Sequence, residues 1–146
     1  MPIITVKVAP HRPVADLERK VADLVVQAST SILRKKRELT AVVVERCDPP
    51  GWFAGGVSLA DQRRSSFWLE IKVLDGTNTK DEKETFIAVI FDAMGGLLGD
   101  LHPESYVHVD EVAADAYGFG GLTQERRFIA GRLGVTPDGI SRAEAA

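Results

Sequence analysis

Apolar and polar positions follow two rhythms along this chain, and the rhythms alternate. Residues 2–9 (PIITVKVA) and 67–74 (FWLEIKVL) are short runs rich in β-branched and aromatic side chains, which predicts strands. After each run the apolar spacing lengthens. Leu17, Val21, Val25, Ala28 and Ile32 recur at helical intervals, and Phe86, Ile90, Ala93 and Leu97 do the same. Pro13 suits the first turn of the first helix, where a missing N–H costs nothing. Thr79 with Glu82 reads as a capping box, and Asn78 also belongs to that cap. Gly95-Gly96 lies inside the second helical pattern, at a cost of about 1 kcal/mol per glycine relative to alanine. It predicts either close packing or an early helix end. Second strands are expected at 40–46 (TAVVVER) and 105–112 (SYVHVDEV), followed by aromatic-glycine turns at 51–56 (GWFAGG) and 117–121 (YGFGG). Residues 122–133 (LTQERRFIAGRL) predict a short helix, and the polar tail TPDGISRAEAA carries no motif and is expected to be mobile.

The two halves are one pattern used twice. Shifted by 65 positions, Val6 meets Ile71, Lys7 meets Lys72, Asp16 meets Asp81, Leu33 meets Leu98 and Gly55-Gly56 meets Gly120-Gly121, without a gap. Single matches of this kind are cheap, but one phase held across the half is not. Strand, helix, strand implies a parallel pair joined by a right-handed crossover. Two such units predict an α+β fold, a four-stranded sheet with both helices on one face. The expected organisation is a single domain: repeat 1 (2–56), a connector (57–66), repeat 2 (67–121) and a C-terminal extension (122–146). Residues on the other face of the sheet are not uniformly polar, so a layer from neighbouring subunits is expected to cover it.

Composition narrows the classes without naming one. The chain has 146 residues, 45% of them hydrophobic, which suffices for one core. A formal charge of −3 with interspersed signs marks no nucleic-acid face. No apolar run reaches membrane-spanning length, and MPIITVKVAPHR lacks the plan of a secretory signal. A cytoplasmic protein is expected. The one cysteine, Cys47, cannot form an internal disulfide, and its neighbourhood RCDPP offers no histidine to activate it as a nucleophile. No phosphate-binding glycine loop is found.

A β-α-β unit that starts with Pro after Met and ends in a glycine-rich hairpin resembles the 4-oxalocrotonate tautomerase family, as two copies joined head to tail. The likeness runs over 2–56 and 67–121. It is strongest in VLDGTNTKDEKETFI and DEVAADAYGFGG, while PIITVKVAPHR carries the functional start. The resemblance implies an oligomer (for a fused chain, a homotrimer), no metal and no cofactor. It also implies a base at the amino terminus.

That base is Pro2. Removal of Met1 would leave a secondary amine, and an unperturbed α-amino group titrates at about 7.7–8. Burial or a nearby cation lowers that value towards working pH, where a base combines availability with driving force. The nitrogen could take a proton from one end of a conjugated enol or keto acid and return it to the other. The repeat has Phe67 at the matching place, an internal position with no free amine, so one base per chain is expected. The resemblance puts a carboxylate-binding arginine at Arg12, whose planar fork suits bidentate pairing. Arg12 could equally be a solvated loop residue. The family's second arginine is missing, since Ala41 and Tyr106 stand at its places, and Arg46 is a candidate replacement. Tyr106 could donate to a developing enolate oxygen or fill a subunit interface. His108, on the same strand face, could bind substrate or be structural. Trp52 and Tyr117 stand where the family walls its pocket with an aromatic, though a hairpin aromatic also covers cores.

The expected function is therefore enol–keto tautomerisation of a small 2-hydroxy-dienoate or enolpyruvate-type acid. The alternative is a non-catalytic ferredoxin-like module that binds a small molecule or regulates a partner. Hydration, dehalogenation or decarboxylation is less favoured, because Leu74 and Thr77 stand where arginines would serve that chemistry.

Overall fold

A computed structural model describes residues 1–136 of the chain. The tail from 137 onward, including most of TPDGISRAEAA, lies outside the described residues. In chain order the elements are β1 (Ile3–Ala9), α1 (Leu17–Ser31), β2 (Ala41–Arg46), β3 (Phe53–Ala54), β4 (Val57–Ser58), α2 (Leu59–Gln62), β5 (Ser66–Leu74), α3 (Lys80–Leu98), β6 (Tyr106–Val112), β7 (Gly118–Phe119), β8 (Leu122–Thr123) and α4 (Gln124–Leu133).

Four strands form one sheet in the order β2-β1-β5-β6. β1 and β2 are parallel, with Ile3 opposite Ala41 and Val8 opposite Arg46. β1 and β5 are antiparallel, with Ile3 opposite Lys72, Thr5 opposite Glu70 and Lys7 opposite Trp68. This register carries the repeat. The 65-residue shift turns the Ile3–Lys72 pair into Trp68–Lys7, itself an observed pair, and Thr5 into its own partner Glu70. A local twofold axis therefore passes between Thr5 and Glu70.

Alternation divides the sheet into two faces. Ile4, Val6 and Val8 of β1 and Phe67, Leu69, Ile71 and Val73 of β5 are buried, in one core with Leu17, Val21 and Val25 of α1 and Phe86, Ile90, Met94 and Leu98 of α3. Both helices thus lie on one face, as the patterning requires. The opposite parity looks outward. There Val43 is 48%, Trp68 43% and Tyr106 56% exposed, and Lys7 lies over the Trp68 ring at 5.4 Å. On the same face Lys72 bridges Glu70 (2.8 Å) and Asp110 (2.9 Å), and these carboxylates hold its ammonium pKa above the usual lysine range.

Local chemistry explains the element ends. Thr79 accepts from the Glu82 N–H, so the capping box forms. α3 runs through Gly95-Gly96 to Leu98, and a Cβ at Gly95 would only touch Leu101 at ordinary distance. Pro13 does not start α1. Asp16 sits at the N-cap in the left-handed region (φ 53°), and this turn of the backbone delays the helix to Leu17. The connector between the repeats holds β4 and α2. Gly55-Gly56 and Gly120-Gly121 all have positive φ, the requirement of the tight turn that matches strand twist. Each hairpin leads into a helix capped by a hydroxyl, Ser58 accepting from Asp61 N–H and Thr123 from Arg126 N–H.

The chain forms two compact units. One comprises Met1–Val73 and Asn78–Asp110 and holds the core; the other comprises Leu74–Thr77 and, among the described residues, 111–136. In the second unit, Arg127 stacks on the Phe119 ring at 3.7 Å and donates to the Phe119 carbonyl. No described helix is long and apolar enough to cross a membrane.

Candidate active site

Pro2 immediately precedes β1 and is buried, on the parity that faces the helices. Its carbonyl accepts from the Ala41 N–H at 3.1 Å, which ties the strand's start to the start of β2. A parallel crossover has to make this junction, because α1 carries the chain back to the end where β1 began. The return segment holds the run Arg34-Lys35-Lys36-Arg37. Lys35 is half-buried, its N–H donating to the Ser29 carbonyl, and the Lys36 carbonyl accepts from the Thr40 hydroxyl.

Both lysines act on the chain's start. The Met1 amine is pushed below its ordinary value, first by desolvation and then by the positive charges of Lys35 and Lys36. Lys35 is in turn pushed down by burial and by Arg34, against the pull of Glu82. The Met1 amine is thus biased towards its neutral form. Neither lysine was singled out from the sequence. The available signal was the basic run just before a strand predicted parallel to β1, since that topology brings such a run beside the first residue.

The other candidate residues of this unit lie elsewhere. Arg12 follows the far end of β1, which at ~3.3 Å per residue is roughly 20 Å from Pro2, and it pairs with Asp100 at 3.1 Å. Trp52 is half-buried against Ala9 and Leu59, also at that end. Ser66 bonds the Ser105 hydroxyl and the Glu104 carbonyl while Lys72 bonds Asp110, so β6 runs alongside β5 in the same direction. Tyr106 therefore sits near the far end too, exposed, with its hydroxyl donating to Glu104 at 3.1 Å; that carboxylate raises its pKa. His108, exposed, lies midway on the open face, and its charge helps depress the Asp110 pKa, after the larger effect of Lys72. Arg46 is engaged with Glu18, whose pKa is lowered to about 2 by that pairing. Tyr117 belongs to the second unit, half-buried, its carbonyl accepting from Gln124 N–H. Within one chain, then, Lys35 and Lys36 act on the Met1 amine beside Pro2. Arg12, Tyr106 and Trp52 gather at the opposite pole. Among the described residues no group of three or more His, Cys, Asp or Glu could hold a metal ion.

No protein-family model matches the chain, and no curated protein matches it. Solved structures do. The protein Pt0534 inactivated by 2-oxo-3-pentynoate superposes with a TM-score of 0.72 at 11% identity, over 84% of this chain and 96% of that one. A fused 4-OT described as a wild-type symmetric trimer gives the same TM-score of 0.72 at 11% identity, over 84% and 96%. The FG41 malonate semialdehyde decarboxylase inhibited by 3-bromopropiolate gives 0.66 at 18% identity, over 92% and 99%. The strand order, the helices on one face and the internal twofold are thus a known arrangement, and this chain has the tautomerase fold in its fused, two-repeat form.

Proposed function

We propose that the chain is an enol–keto tautomerase acting on a small 2-hydroxy-dienoate or enolpyruvate-type acid, with Pro2 as general base once Met1 is removed. The observation that carries this reading is a buried proline at the chain's start, next to a Met1 amine whose pKa is lowered by burial and by Lys35 and Lys36. A neutral secondary amine there accepts the enol hydroxyl proton. The resulting ammonium returns a proton to a carbon of the conjugated system, whose C=C electron pair takes it up while the C=O forms. Lys35 and Lys36 supply the cationic surroundings that an acid substrate needs, in place of the family's second arginine. Inactivation of Pt0534 by an alkynyl 2-oxo acid, and inhibition of the decarboxylase by 3-bromopropiolate, support a small-acid ligand class.

The same reading makes the protein a cytoplasmic homotrimer. The fused 4-OT trimer and the exposed Val43, Trp68 and Tyr106 on the uncovered sheet face support it. Because Arg12 and Tyr106 lie at the pole away from Pro2 of their own chain, any part they play at a base is played for a neighbouring copy. Tyr117 and His108 remain candidates for the pocket wall and for substrate contact.

Intact mass of the purified protein, followed by turnover of phenylenolpyruvate and 2-hydroxymuconate, tests the proposal. Loss of Met1 is expected, and Pro2→Ala is expected to lose about 10²- to 10⁴-fold in kcat/KM, the usual contribution of a general base. Retained Met1 with no turnover of either acid, in the parent protein and in Pro2→Ala alike, would instead favour the non-catalytic binding module.

A further inference from the structure

α4 is built inside out. At about 100° per residue, Gln124, Arg127 and Ala130 share one side of the helix, and Glu125, Phe128, Ile129, Arg132 and Leu133 share the other. The first side faces inward. Gln124 and Ala130 are buried, and Arg127 lies over the Phe119 ring. That inward side is largely polar, and among the described residues Gln124 Nε2 and Arg127 Nε are buried with no hydrogen-bond partner. The outward side holds the large apolar groups, with Phe128 and Leu133 each 65% exposed and Ile129 42%. α1 and α3 do the reverse, burying Leu17, Val21 and Val25, and Phe86, Ile90 and Met94. A surface helix ordinarily turns its apolar stripe to its own core. A stripe turned outward marks a contact with another molecule.

The charges on the stripe indicate which molecule. Glu125 stands near its start and Arg132 near its end, with Phe128 and Ile129 midway between. Arg132 lies over the Phe128 ring at 5.6 Å, which keeps its guanidinium on the stripe. A second α4 laid antiparallel, centred between Phe128 and Ile129, puts Glu125 of each copy opposite Arg132 of the other. The same operation sets Phe128 of each against Ile129 of the other. A parallel pairing would instead oppose like charges. The chain's own tail is a poor cover, since residues 137–146 contain one large apolar side chain, Ile140.

We propose that α4 is a docking surface for a second copy of this chain, the two helices packing antiparallel across a twofold axis at Phe128 and Ile129. Such a contact uses the same patch on both partners and is satisfied by its own complement. It uses none of the residues of the open sheet face, and it stands whether or not Pro2 is a base.

A cysteine beside the axis tests it. Cys47 is the one thiol of the chain, so Ile129→Cys in a Cys47→Ser background carries a single thiol per copy. Mild oxidation of the full-length protein is expected to form covalent dimers about tenfold faster than a Ser31→Cys control on the exposed surface of α1. Adding Glu125→Arg opposes arginines at both ends of the contact and is expected to slow the cross-link about tenfold, and Arg132→Glu does the same with glutamates. Mixing these two charge variants restores the rate, because each new charge then meets its opposite on the other copy. A cross-link no faster than the control overturns the proposal, as does a charge reversal that leaves the rate unchanged. Slowing without restoration on mixing also overturns it, and points to a different surface as the partner of the stripe. Should a charge variant fail to fold, sedimentation of the parent and Phe128→Ser decides. A concentration-dependent gain in mass that the substitution abolishes upholds the contact, and equal masses throughout refute it.

Discussion

At the scale of single residues, the proposed site is an amine whose surroundings matter as much as its identity. Desolvation and the charges of Lys35 and Lys36 lower the pKa of the Met1 amine, and on the proposed reading the same surroundings act on the secondary nitrogen that Pro2 would expose. Lys35→Met removes one of those charges. The ammonium form gains by its loss, so the acid limb of kcat/KM is expected to move to higher pH, and KM for an acid substrate to rise. A full pH–rate profile with phenylenolpyruvate checks both. The sequence pointed to Pro2 as the proposed base because position, neighbouring strand and repeat all converged on it. It did not point to Lys35 and Lys36, because what matters about them is proximity to a residue more than thirty positions away.

At the scale of elements, the capping and turn chemistry makes separate predictions. Thr79→Ala leaves the Glu82 N–H without its acceptor and is expected to destabilise the protein by about 1 kcal/mol, read as a lower urea midpoint with an unchanged slope. Gly118 is a harsher case. A Cβ there would lie 2.1 Å from the Leu122 carbonyl oxygen, a backbone atom that cannot step aside. Gly118→Ala is expected to open the β7–β8 hairpin, seen as lost hydrogen-exchange protection at residues 118–123, while the core strands β1 and β5 keep theirs. The element types were readable from periodicity, since helix and strand expose one face by different rules. Their ends were less so. Pro13 advertised a helix start, but the left-handed Asp16 intervenes, and no local pattern announces one residue's φ.

For the whole molecule, a sheet with one covered face leaves Val43, Trp68 and Tyr106 exposed among charged neighbours. If copies of this chain cover that face, Trp68→Glu buries a charge at the contact and is expected to yield monomers by sedimentation equilibrium, with tautomerase turnover lost at the same time. A monomer with full activity would remove the need for a neighbour at the site. On the covered face, Ile90 is fully buried in the shared core, and Ile90→Ala is expected to cost roughly 2–5 kcal/mol of unfolding free energy by urea titration.

The linear chain by itself determined the repeat, the order and kind of its elements, the one covered face and the single terminal amine. Each of these follows from local spacing or from a residue's own chemistry. Only the tertiary structure decided the company that amine keeps. The antiparallel register of β1 with β5 and the parallel return into β2 put Lys35, Lys36, Arg34 and Glu82 at the pole of Pro2, and sent Arg12 and Tyr106 to the other. Electrostatic interactions depend on distance through space, and distance through space is what a string of residues does not contain.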